Sequence, residues 1–291
     1  MNRPLAFIGA LLCATVAVSS ACMAQPADDV RFTLEPGHRD PGKIQASFRT
    51  ERPGRDDNNW STGFMPSELI GLEVSSFRAP GSRPLHFAIA REAGRLDCAG
   101  NGGNSAAIGT CRFAENPAFT QLLVSRGIGR PTHEQAFGLM AVNARRDIID
   151  AVGGAGYPRL SIDNLMALAA LGVNGRYIAD MAHAGYRPRT IQSLIEFKAL
   201  GITPDWIGGF ARVGYANVPG DGLVQMRALG ITPDYIAGYQ RIGYGNLPVE
   251  KLVELKALNI TPEFVRSVVR TGEAMPPVND LVEIKLFGRK R

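Results

Sequence analysis

The chain has 291 residues, a formal net charge of +5, 45% apolar residues and 20% charged ones. That balance suits a folded globular protein and excludes an intrinsically disordered chain. The charge excess is mild, compatible with an anionic partner without demanding one, and the length has room for one large domain or two ordinary ones.

Residues 1–24 read as a signal peptide. Arg3 supplies the positive start, Leu5 to Val18 is mostly apolar but short for a membrane span, and small residues follow. Cleavage after Ala24 would leave Gln25 first. The rival reading makes Cys22 the lipidated first residue of a lipoprotein, but Ser19-Ser20-Ala21 is a poor lipobox because it lacks the usual Leu. The leader holds one Arg and no acid, so its loss takes one charge from the +5 and leaves +4. The expected location is periplasmic or secreted, with no transmembrane segment in the mature chain.

Residues 25–116 predict a small antiparallel β domain. Residues 35–60 are rich in Pro, Gly, Arg, Asp and Asn and read as long turns. Strand patterns fall at Val30 to Leu34, Ile44 to Arg49, His86 to Ala90, Arg95 to Cys98 and Thr110 to Phe113. Met65 to Leu72 reads as a short helix. Asn101-Gly-Gly-Asn104 supplies hairpin turn residues between the last two strands. Cys13 and Cys22 leave with the leader, so Cys98 and Cys111 remain, an even number in an oxidising compartment. They are expected to pair and clamp that hairpin, a contribution of about 3 kcal/mol; the alternative is two free buried thiols.

Residues 117–291 carry an internal period. Glycines stand at 127, 156, 185, 214, 243 and 272, a constant step of 29, and Tyr157, Tyr186, Tyr215 and Tyr244 follow four of them. Ala199-Leu-Gly-Ile-Thr-Pro-Asp205 recurs as Ala228-Leu-Gly-Ile-Thr-Pro-Asp234 and as Ala257-Leu-Asn-Ile-Thr-Pro-Glu263. In the unit starting at Gly214, Asp221 to Leu229 predicts a first helix with Leu223, Val224, Met226 and Leu229 on one face. Gly230 ends it. The same column reads Asn143, Gly172, Gly201, Gly230, Asn259 and Gly288, the two residue types that best tolerate a left-handed helix cap. Thr232-Pro233-Asp234 then opens a second helix to about Arg241, with Thr as N-cap, Pro in the first turn and an acid at the positive end of the dipole. Helices this short are unstable alone in water and must bury their faces on neighbouring copies. The expectation is an α+β chain in which a right-handed α-α solenoid of about five units, with half units at both ends and a polar cap from Gly288 to Arg291, follows the β domain.

The unit Gly-Tyr…Leu-Val-x-Leu-Lys-Ala-Leu-Gly-Ile-Thr-Pro-Asp-Tyr-Ile resembles repeats of uncharacterised exported bacterial proteins. It is similar to those in the extracytoplasmic tails of some membrane metallopeptidases of the β-lactam-sensor type. The segment with Arg91-Glu-Ala-Gly94, Asp97-Cys98 and Phe113, followed by Asn116-Pro-Ala-Phe119, looks like the module before the repeats there. The resemblance spans nearly the whole mature chain and implies architecture, not activity. No His-Glu-x-x-His occurs, since His133-Glu134 is followed by Gln135-Ala-Phe137, so zinc proteolysis is not carried over.

Candidate chemistry is sparse. His38, His86, His133 and His183 share no metal-ligand spacing and there is no Cys-x-x-Cys, so no metal and no cofactor are expected. Gly100 to Gly103 suits a hairpin better than a phosphate loop. The aromatic column Tyr177, Trp206, Tyr235, Phe264 reads as core, the alternative being a stacking groove. Two basic columns repeat: Lys198, Arg227, Lys256 and Lys285 on the first helix, and Arg212, Arg241 and Arg270 near the end of the second. Either is explained by a solvated face or by the helix dipole; the second column is the candidate ligand-binding set. The expected function is a non-catalytic envelope binding or scaffold protein that recognises a protein or an anionic cell-envelope polymer, not nucleic acid. The alternatives are a sensory module of envelope-stress or cell-wall signalling, and an enzyme with a site between the β domain and the repeats.

Overall fold

The computed structural model describes residues 30–50, 58–158, 160–270 and 273–288. The leader with Cys13 and Cys22, the repeat glycine at 272 and the last three tail residues lie outside the described residues. Six strands come first: β1 (Val30–Pro36), β2 (Ile44–Thr50), β3 (Asn58–Phe64), β4 (Arg83–Arg91), β5 (Gly94–Gly103) and β6 (Ala106–Glu115). A single 3₁₀ turn, Pro66–Glu68, and a short helix, α1 (Val74–Arg78), lie between β3 and β4. The helical half begins with α2 (Pro117–Ser125), α3 (His133–Ala141), α4 (Arg146–Gly154) and α5 (Ile162–Ala170). It continues through α6 (Gly175–His183), α7 (Ile191–Ala199), α8 (Pro204–Ala211) and α9 (Gly220–Ala228), and ends with α10 (Pro233–Arg241), α11 (Val249–Ala257), α12 (Pro262–Val268) and α13 (Val278–Phe287). Among the described residues no helix is long and apolar enough to cross a membrane.

The strands form one antiparallel sheet in the order β3-β2-β1-β6-β5-β4, two meanders joined where β1 pairs β6. Alternate residues face the core, as the two-residue strand period requires: Val30, Phe32 and Leu34 of β1 lie beside Ile44, Ala46 and Phe48 of β2, and all are buried. Cys98 and Cys111 stand opposite each other on β5 and β6 and are disulfide-bonded, so the expected clamp is present. The hairpin turn falls slightly later than expected. Asn101 to Gly103 continue β5, and the loop is Asn104-Ser105, both with positive φ (53° and 61°), the backbone of a two-residue hairpin whose twist matches the strands.

Two local expectations are corrected. The turn-rich region 35–60 ends inside a strand, β3. Asn, Ser, Thr and Gly give β3 little strand propensity, but Trp60 stacks on Phe48 at 4.7 Å between ring centroids and fixes its register on β2. Met65 to Leu72 is one 3₁₀ turn rather than a helix. Ile70 exchanges backbone hydrogen bonds of 2.8 Å in both directions with Ala88 at the outer edge of β4, and these take the groups a helix would have used.

The helices keep the 29-residue step. Each first helix is followed by its short link and second helix, and both end alike. At the first-helix ends Asn143, Gly172, Gly201, Gly230, Asn259 and Gly288 all have positive φ, from 50° to 77°. The residue after the cap closes back on the helix, as where the Ile231 N–H donates to the Met226 carbonyl at 2.8 Å and the Gly230 N–H to Arg227. At Gly288 ψ is 168° and the N–H donates to the Ile284 carbonyl, whereas the ends at Asn143, Gly172, Gly201, Gly230 and Asn259 are Schellman motifs. Their apolar partners Val173, Ile202, Ile231 and Ile260 are all buried. The second helices end the same way at Gly156, Gly185, Gly214 and Gly243, which is why Tyr follows Gly: the Tyr215 N–H donates to Phe210 and the Tyr244 N–H to Tyr239. The Thr-Pro-acid openings also hold, with Thr203, Thr232 and Thr261 each accepting from the backbone N–H three residues on, at 3.2 Å. The first-helix segment starts at Gly220 rather than Asp221 and its cap is Leu229.

Equivalent positions share equivalent surroundings. Leu165, Leu194, Leu223, Leu252 and Leu281 are fully buried, as are Leu168, Leu255 and Met226 one turn on. First helices pack on first helices one unit away (α3 on α5, α5 on α7, α9 on α11, α11 on α13), and α4 packs on α6. Close approach of α8 and α10 needs a missing side chain: a Cβ on Gly209 would lie 3.0 Å from Pro233 Cγ.

The sheet is joined to the helices through α3, which lies against β5 and β6. Phe137 of α3 meets Trp60 and Phe113 edge-on. Arg91 is the polar part of the joint. Its Nη1 donates to the carbonyls of Met140 (2.8 Å) and Ala141 (2.6 Å) at the C-terminal end of α3, and its guanidinium lies over Trp60 and Phe64. A cation there meets the negative end of the helix dipole. One hydrophobic cluster runs through both halves, from Val30 to Leu281.

Candidate functional site

The two basic columns, indistinguishable by composition, have different environments. Lys198, Arg227, Lys256 and Lys285 are half-buried. Each cation lies over the aromatic ring of the preceding second helix: Lys198 over Tyr177 at 4.5 Å, Arg227 over Trp206 at 5.3 Å, Lys256 over Tyr235 at 4.7 Å and Lys285 over Phe264 at 4.6 Å. Arg227 Nε also donates to the Leu200 carbonyl at 2.8 Å, reaching one unit back. This column is therefore part of the packing, with each cation–π contact worth about 0.5–1 kcal/mol at a partly exposed site. The aromatic column it covers packs against the core, with Tyr177 itself buried.

Arg212, Arg241 and Arg270 are all exposed. Arg212 and Arg241 stand at the ends of α8 and α10, where a cation meets the helix dipole. Arg241 Nε donates weakly to the Ala237 carbonyl at 3.3 Å. Its charge, with that of Arg266, contributes to holding the Glu263 carboxyl below its usual range, after the larger effect of hydrogen bonds from the Glu263 backbone and Thr261. Arg212 and Arg241 thus occupy corresponding helix ends, whereas Arg270 shares their phase but lies two residues past α12, after an extended Val269.

Two tyrosine series stitch the copies together. Tyr186, Tyr215 and Tyr244 donate to the carbonyls of Val218, Leu247 and Pro276, each 32 residues on, at 2.9, 2.6 and 2.6 Å. Tyr177 donates to Ile202 at 2.8 Å, and both Tyr235 and Tyr239 reach Ile260. Burial raises all of these phenols above their usual range, Tyr177 to about 12.

The histidines are dispersed. His133 Nδ1 lies 2.8 Å from Glu115 Oε1 at the sheet–helix joint. Among the described residues no cluster of three or more His, Cys, Asp or Glu is placed to hold a metal ion. At the joint itself a depression of about 620 Å³ opens beside Trp60, Phe137, Gln135 and Met166; its wall is mainly apolar and Glu134 is the titratable residue on it. A second cavity, of about 520 Å³, lies between α4 and α6. A neighbouring one of about 390 Å³ lies beyond the link that joins α6 to α7. Arg187 and Arg189 line both. These arginines were not among the sequence candidates, because they belong to no repeating column; the signal available was a departure from the repeat rather than a match to it.

Comparison of the chain with protein-family models, with curated proteins and with solved structures gave no match in any of the three.

Proposed function

We propose that this is a non-catalytic binding or scaffold protein of the bacterial envelope, exported by its first 24 residues. On this reading residues 117–291 stack as a right-handed α-α solenoid behind the β domain of residues 25–116, and the exposed arginine edge of the solenoid holds an anionic partner, a protein or a cell-envelope polymer. No cofactor is required. The observation that carries the proposal is the contrast between the columns: four cations are folded onto rings, while Arg212, Arg241 and Arg270, at one phase of the repeat, stay exposed. Helices packed side by side lie roughly 10 Å apart, which sets the scale of spacing along this column. A polyanion can meet all three at once, and linked contacts of modest strength then add. The disulfide supports an oxidising location.

The experiment is a salt series of binding to poly-L-glutamate, followed by pull-down from periplasmic extract. The intact protein should bind, more weakly as salt rises. The triple variant Arg212→Ala/Arg241→Ala/Arg270→Ala should bind about tenfold more weakly, the loss of roughly 1.4 kcal/mol, with its melting temperature nearly unchanged. Lys198→Met should do the reverse, lowering stability and leaving binding alone. No binding by the intact protein, or a triple variant that binds as well, removes the proposal.

A further inference from the structure

The cavity between α4 and α6 lies where the repeat departs from its own pattern. The position that precedes a first helix by two residues is Leu160, Val218, Leu247 and Pro276 in four units, and Arg189 in the fifth. Leu160 and Val218 are buried, whereas Arg189 is exposed. The position in phase with Ala155 beside this cavity is Ala184 in the next unit, then Val213 and a buried Ile242, so only the arginine at 189 is peculiar to this step. An apolar residue of the other units is thus replaced here by an exposed arginine, beside an alanine that the next unit shares. The tyrosine series breaks at the same step. Tyr186, Tyr215 and Tyr244 each donate to the carbonyl 32 residues on, but among the described residues Tyr157 makes no matching bond to Arg189. Packed interiors rarely leave such space without a cost in stability, and the volume of about 520 Å³ is in the range of small-molecule sites.

The lining sets the chemistry. The floor is Ala151, Ala155, Ile178 and Ala182, apolar and shallow; Tyr157 and Tyr186 stand at its edge, and Arg187 and Arg189 line it from the link before α7. Two guanidinium groups beside an apolar floor complement a molecule with one anionic end and a hydrocarbon body. We propose that this cavity binds a medium-chain aliphatic carboxylate, its chain on the α4–α6 floor and its carboxylate between Arg187 and Arg189. The Tyr157 hydroxyl faces the same space and donates to the carboxylate. This site is independent of the arginine edge formed by Arg212, Arg241 and Arg270.

The test is calorimetric titration of the full chain with decanoate and with decanol. Decanoate should bind and decanol should bind at least about tenfold more weakly, the worth of one charge-assisted hydrogen bond pair. Arg187→Gln/Arg189→Gln should weaken decanoate about tenfold and leave decanol within about twofold. Ala155→Val/Arg189→Leu places apolar bulk at both positions, as Val213 and Leu247 supply in later units; it should abolish both and raise the melting temperature. Absence of decanoate binding, equal binding of acid and alcohol, or undiminished binding by either variant overturns the proposal. Should the filled variant fail to fold, the glutamine pair decides alone, since both arginines are exposed and their replacement disturbs no core contact.

Discussion

A residue's neighbours, not its type, decide what its charge does here. Lys256 and Arg241 both recur in columns and both sit on helices, yet Lys256 lies 4.7 Å over the Tyr235 ring while Arg241 is exposed. The sequence supports both as solvated faces or dipole partners, and it cannot rank them, because the ring beneath Lys256 belongs to a different helix 21 residues earlier. The tyrosines were legible as a column, but their acceptors 25 and 32 residues on were not, since these follow from how the units stack. The consequence is a marked sensitivity to alkali. Tyr177 ionises near pH 10 when unfolded, but burial, and then the nearby Tyr157, push it up to about 12 in the folded chain. Between those values the unfolded chain gives up a proton that the folded chain keeps, so stability falls as pH rises from about 10, and the loss is complete above about 12. Equilibrium unfolding across this window should show a steep decline shared by the other buried phenols. Tyr177→Phe should lower stability by about 1 kcal/mol at neutral pH, for the lost hydrogen bond to Ile202, and make the alkaline decline shallower.

Elements were legible wherever the backbone itself forces the residue. The six-membered column of Asn and Gly predicted left-handed helix caps, and all six positions have positive φ. Most L residues are strained in that conformation; Gly escapes because it has no β-carbon, and Asn tolerates it because its short polar side chain can hydrogen-bond locally. Gly230→Ala should therefore cost about 1–2 kcal/mol, read as a shift in the urea midpoint with the slope unchanged. Asn259→Gly should be neutral or slightly stabilising at the matching position. Five of the strands were legible because their apolar residues alternate. The strand β3 was not, because its pairing depends on Trp60 resting on Phe48. The helix α1 is five residues long and buries Phe77, too little pattern to read. The disulfide was predicted from parity and compartment as a clamp on the hairpin, but the register that sets Cys98 opposite Cys111 was not, because it follows from a turn at Asn104-Ser105 rather than at Asn101 to Asn104.

At the scale of the molecule, the account rests on copies that lend one another stability. Helices of seven to ten residues lack the length to persist alone in water, while Leu165, Leu194, Leu223, Leu252 and Leu281 are each fully buried by neighbours of the same kind. The candidate cavity was illegible for the same reason. A repeat is found by its matches, whereas Arg189 matters as an exception to it. The most direct test is removal of one whole unit. Deleting residues 214–242 joins Val213 to Gly243, keeps every cap in phase and lets Tyr186 donate to Leu247 in place of Val218. Circular dichroism with urea titration should show a cooperatively folded protein of lower stability, whereas deletion of residues 214–228, half a unit, should abolish folding of the helices beyond the junction. If the whole-unit deletion unfolds as completely as the half-unit deletion, the copies are not interchangeable and the account is wrong.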